Sequence, residues 1–154
     1  MTNRGKKDGG LLLVENNHDD ILFFRRELAR VRPGTPLELV IDGAAAVRAL
    51  SADVPPALVI LDLKLPRKSG LEVLEWMTTQ PGLKSVRTVV LTSSAEENSL
   101  RRATALGAVC CIVKPVEFTQ LREVVAAIVE YWAEPGEASL ARLGRHAAAI
   151  PAEC

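Results

Sequence analysis

Short apolar runs alternate with helical patterns five times along this chain. The runs are LLLV (11–14), LELVI (37–41), ALVIL (57–61), TVVL (88–91) and CCIV (110–113). Four are continuous and rich in β-branched residues, as parallel strands covered on both faces should be, whereas LELVI is more mixed and suits an edge. Between them, Ile21, Phe24, Leu28 and Val31 form one stripe of a helix from about Asp20 to Arg32. Phe118, Leu121, Val125, Ile128 and Trp132 form the cleanest stripe of all. Gly70–Thr79, Ala95–Leu106 and an Ala-rich Gly43–Ser51 complete the helices, separated by Pro33-Gly34, Pro55-Pro56, Pro81-Gly82 and Gly107. Strands alternating with helices predict a parallel sheet with right-handed crossovers, a doubly wound α/β domain. The polar start MTNRGKKDGG (1–10) reads as a disordered lead, residues 11–132 as the domain, and 133–154 as a tail with a short helix at Ser139–Ala149.

In such a sheet ligands bind beyond the carboxyl ends of the strands. The polar residues that follow the runs are Glu15 and Asn16, Asp62, Thr92 and Ser93, and Lys114-Pro115. Together they bring carboxylates, an amide, hydroxyls and a lysine to one mouth, a set suited to a divalent cation and a phosphoryl group. Each residue also has a plainer reading. Asp62 can cap a turn, Thr92 can cap the helix near Ala95, and Lys114 can be a solvated loop lysine. Asp19 and Asp20 read as first-turn charges favourable to the helix dipole, and His18 as a loop histidine.

Composition narrows the picture. With 48% hydrophobic but only 4% aromatic residues, the core is aliphatic. Nineteen basic side chains balance nineteen acidic ones, which gives no electrostatic reason to expect nucleic acid or an anionic membrane as a partner. No run approaches the ~20 apolar residues of a membrane span. Cys110, Cys111 and Cys154 have no metal or redox spacing and fit plain thiols in a reducing cytoplasm.

The strand-end residues resemble the receiver domain of two-component response regulators. That family carries an acidic pair after strand 1, an Asp after strand 3, Thr or Ser after strand 4 and Lys-Pro after strand 5. Here these fall at Glu15/Asn16, Asp62, Thr92 and Lys114-Pro115, and DLKLPRKSG (62–70) is similar to the family's D-x-x-x-P-x-x-x-G. The last long helix, ending VEYW, looks like single-domain receivers associated with phytochrome-type kinases. The resemblance implies a flavodoxin-like (βα)5 fold with strand order 2-1-3-4-5. It also implies a stand-alone, non-enzymatic cytoplasmic receiver that takes a phosphoryl group on Asp62 from a sensor histidine kinase and signals by protein–protein contact. Thr92 and Lys114 would contact that group. Mg²⁺ would be held by Glu15, Asn16, Asp62 and the backbone carbonyl of Lys64, and the Lys114–Pro115 bond would be cis.

Three departures stand out. Asn16 replaces the usual direct Mg²⁺ ligand and removes one negative charge, so metal affinity should fall. Lys64 overlooks the site and could pair with Glu15 or with phosphate. Cys111 stands where most receivers carry the aromatic residue that swings inward on activation, and it reads here as a core residue. Asn16 and Cys111 favour a second reading, a pseudo-receiver or scaffold that signals without phosphorylation, and intact Asp62, Thr92 and Lys114 oppose it. An aspartate-nucleophile phosphatase would want a carboxylate where Lys64 stands. A flavodoxin-type FMN binder would want a Ser/Thr-rich loop in place of the acidic ENNHDD. Finally, Val124, Val129 and Tyr131 lie off the last helix's stripe, which predicts an exposed apolar face and a homodimer through the last two helices and last strand; the alternative is that the tail from Glu134, with Leu140, Leu143 and Ile150, folds back over them.

Overall fold

A computed structural model of the chain describes residues 9–149. Five parallel strands form one sheet in the order β2-β1-β3-β4-β5. They are β1 (Leu11–Val14), β2 (Leu37–Val40), β3 (Leu58–Leu61), β4 (Arg87–Thr92) and β5 (Cys110–Val113). The helices are α1 (His18–Val31), α2 (Gly43–Leu50), α3 (Gly70–Thr78), α4 (Glu97–Ala105), α5 (Phe118–Ala133) and α6 (Glu137–Gly144). The order and the flavodoxin-like winding are those expected, and the mixed run LELVI does supply an edge strand.

Alternation along each strand divides the core in two. Leu11, Leu13, Leu58, Ile60, Cys110 and Ile112 face α1 and α5. Leu12, Val14, Val59, Leu61, Val90 and Cys111 face α2, α3 and α4. Most of these side chains are fully buried, and each buried Leu, Ile or Val contributes about 1.5–3 kcal/mol. Both faces of the inner strands are covered, which is why their sequences read as continuous apolar runs.

The loops at the carboxyl ends are fixed by caps and close contacts. Asn17 caps α1, Asp42 caps α2, and Ser69 with Glu72 forms a capping box on α3. A Cβ at Gly70 would stand 2.4 Å from the Asp62 carbonyl oxygen, so glycine lets α3 start directly against the end of β3. Arg67 adopts φ +72° in the same loop and pairs with Asp42, 3.3 Å away.

Three expectations need correction here. The three residues expected to be exposed on α5 are buried: Val124 and Val129 are 1% exposed and Tyr131 is 5% exposed. The alternative reading holds, and the tail covers them: α6 packs on α5, and its fully buried Leu143 joins their apolar cluster. Phe118, placed on the inward stripe, is instead 58% exposed, with its ring edge-on to Phe23. The tail helix also begins and ends earlier than Ser139–Ala149. The expected lead lies outside the described residues except for Gly9 and Gly10, and the Gly10 carbonyl accepts a hydrogen bond from Ala57 N–H. Cys154 lies outside them too.

Candidate functional site

Glu15, Asp62 and Lys114 converge at the carboxyl ends of β1, β3 and β5. Lys114 Nζ lies 2.8 Å from Glu15 Oε1, 2.6 Å from Asp20 Oδ2 and 3.7 Å from Asp62 Oδ2. Glu15 and Asp62 are both buried, which is unusual for carboxylates and is tolerated because a cation faces them. Burial pushes the Glu15 carboxyl above its ordinary range, and the Asp62 charge adds to this against the pull of Lys114. Burial also opposes the charge on Lys114. The hydrogen bonds to Asp20 and Glu15 and the field of Asp62 outweigh it, and they hold the ammonium above its ordinary value.

The remaining expected residues divide. Thr92 is fully buried at the end of β4, and its hydroxyl accepts a hydrogen bond from Ser94 N–H, not from the first turn of α4. Glu96 is the N-cap of α4, so the reading of Thr92 as that helix's cap is not what is seen. Asp62 does close a turn, accepting from Lys64 N–H at 3.3 Å, but this long bond engages only Oδ1. Oδ2 has no hydrogen bond from a described residue. Asn16 and the Lys64 side chain are exposed, and neither pairs with Glu15, whose oxygens are taken by Lys114 and by Asn17 N–H. The Lys114–Pro115 bond is trans, against the expected cis form, and trans is the isomer X-Pro bonds favour by about 0.5–1 kcal/mol. Cys111 packs as expected in the core, with its sulfur 3.6 Å from Thr104 Oγ1.

Sequence reasoning missed Asp20. It read as a first-turn charge, yet its carboxylate makes the shortest contact to Lys114. The helix begins at His18, two residues before Asp20, and Asp20 in its first turn reaches across the mouth to Lys114. A second aspartate close after the strand-end acid was the available signal.

As a metal site the arrangement is sparse. Among the described residues no group of three or more His, Cys, Asp and Glu side chains gathers to hold a cation. The oxygens that remain are the underused Asp62 carboxylate, the exposed Asn16 amide and the Lys64 carbonyl. That set suits a hard cation completed by water and phosphate oxygens, not an all-protein cage.

The response regulator receiver domain matches residues 11–126. The chain belongs to that family. It is 34% identical over 127 residues to the probable methanogenesis regulatory protein FilR2 of Methanothrix harundinacea, covering 79% of this chain and 82% of the relative. It is 32% identical to response regulator Rcp1 of Synechocystis, covering 80% and 88%. The solved Mn²⁺-bound form of Rcp1 superposes with TM-score 0.71, covering 82% of this chain and 96% of that one. The phosphorylated cyanobacterial phytochrome response regulator RcpA superposes with TM-score 0.77 at 32% identity, covering 84% and 97%. This receiver is thus similar to phytochrome-associated response regulators and to CheY-like receivers. Among the described residues no helix is long and apolar enough to cross a membrane.

Proposed function

We propose that this receiver accepts a phosphoryl group on Asp62 from a phosphohistidine of a sensor kinase and signals by protein–protein contact. The observation that carries the reading is the buried Asp62 carboxylate, whose Oδ2 accepts no hydrogen bond from a described residue and faces the Lys114 ammonium 3.7 Å away. In the transfer, Asp62 oxygen bonds to phosphorus as the phosphorus–nitrogen bond breaks, and the imidazole leaves with the electron pair. Lys114 and the Thr92 hydroxyl would meet the charge on the phosphoryl oxygens. Mg²⁺, bound through Asp62, Asn16 and the Lys64 carbonyl with Glu15 nearby, would supply further charge neutralisation. The Mn²⁺-bound Rcp1 structure supports a divalent-metal site, and Asn16 argues for a weakened one. Likeness to phytochrome response regulators supports a phytochrome-type kinase as donor and a cytoplasmic setting.

A homodimer through α4, β5 and α5 loses its main argument, because the apolar residues that suggested it are covered by α6. The pseudo-receiver reading draws on Asn16 and on Glu15 being already paired. One experiment separates the two. The wild-type protein and Asp62→Asn are incubated with acetyl phosphate and Mg²⁺, and their intact masses are measured. A phosphoryl adduct confined to the wild type supports the proposal; equal labelling of both, or of neither, defeats it.

A further inference from the structure

Four residues close a ring of hydrogen bonds beside Asp62. Lys114 Nζ donates to Glu15 Oε1 at 2.8 Å, and Asn17 N–H donates to Glu15 Oε2 at 3.0 Å. Asp20 N–H donates to Asn17 Oδ1 at 2.9 Å, and Lys114 Nζ returns to Asp20 Oδ2 at 2.6 Å. The ring ties the first turn of α1 to the end of β5, residues far apart in sequence. It also holds the ammonium closer to Asp20 than to Asp62.

From this geometry we infer that Asp20 is a positioning residue for Lys114, competing with the phosphoryl group for its ammonium. The inference rests on Asp62 being the phosphoacceptor. An ammonium has three protons, and two are committed here to carboxylates. A phosphoryl group arriving on Asp62 must draw Lys114 across the mouth, which opens the ring on its Asp20 side. Asp20 is the member that can yield, because its carboxylate is 34% exposed and water can replace the lost bond, whereas that of Glu15 is 4% exposed. The contact therefore holds Lys114 back before transfer and gives α1 a part in reporting that transfer has happened. With Cys111 fixed in the core, α1 is the element beside the site whose anchor the phosphoryl group itself removes. Phe23–Phe118 and Glu27–Arg122 carry α1 onto α5 below it.

The test is the initial rate of labelling by acetyl phosphate, read by intact mass, in wild type, Asp20→Asn and Asp19→Asn, alone and combined with Lys114→Gln. Asp19 is exposed, so its variant removes the same charge one residue away as a control. Thermal melts verify that each variant is folded, with Asp20→Ser as the substitute should Asp20→Asn fail. Asp20→Asn is expected to label about three- to tenfold faster, Asp19→Asn within about twofold of wild type, and Asp20→Asn to add nothing once Lys114 is Gln. Equal acceleration by both aspartate variants, an unchanged rate in Asp20→Asn, or acceleration that survives Lys114→Gln would overturn the inference. A wild type that takes no phosphate refutes the phosphoacceptor reading itself, a separate outcome.

Discussion

Ala148 donates its backbone N–H to the Cys111 carbonyl at 2.8 Å, which lays the segment after α6 along β5, an edge strand of the sheet. An exposed edge is a template for pairing with another chain, and here the protein's own tail lies against it. Leu143 anchors the arrangement from a fully buried position, with its carbonyl near the Cys110 sulfur.

Deleting residues 137–154 should therefore uncover β5 and the apolar side of α5 and promote self-association. Light scattering across a concentration series checks this, and a truncated protein that stays monomeric would show that the tail shields no sticky surface. In the full chain, Leu143→Ala should cost about 2–4 kcal/mol in urea denaturation, since it empties a closed site.

Gly43 marks a second close approach. A Cβ there would stand 1.8 Å from the Lys68 carbonyl oxygen, a clash with backbone that no side-chain rotation relieves. Gly43→Ala should displace the loop from Pro66 to Ser69, lower stability by roughly 1–3 kcal/mol and slow labelling of Asp62. Gly82→Ala, where a Cβ meets nothing, serves as the control; equal effects of the two substitutions would refute the steric argument.

Alkaline stability offers a third measurement. Burial pushes the Cys110 thiol up to about 11, with the neighbouring Cys111 adding to it. Above pH 9.0 the unfolded chain gives up this proton while the folded one keeps it. The contribution is thus fully present below pH 9.0 and is lost as pH rises through about 11. Cys110→Ala should show a shallower fall in denaturation midpoint over that interval than the wild type. Parallel falls would mean that Cys110 does not titrate in this way.

Metal binding is the fourth. Asn16 is exposed beside the Asp62 mouth, so Asn16→Asp adds a full charge near the cation position. Calorimetric titration should find Mg²⁺ bound about tenfold or more tightly by the variant. The same affinity in both proteins would remove Asn16 from the metal's surroundings.

Much of this was legible in the chain itself. LLLV and CCIV begin and end as strands where their apolar runs do, because a strand buried on both faces needs every side chain apolar. Asp62 and Lys114 were found because a polar residue directly after such a run must lie at the strand mouth, whatever the loops do next. Tertiary structure decided what local pattern cannot carry. Val124, Val129 and Tyr131 looked surplus on one helix and became core once α6 brought Leu143 against them, since burial depends on everything that packs there. Asp20 looked like a dipole charge. Its tie to Lys114 exists because β1 and β5 end on the same side of the sheet and α1 begins two residues early. Pattern within a segment fixes its period and its ends; which charge meets which is set by segments that meet only in the folded chain.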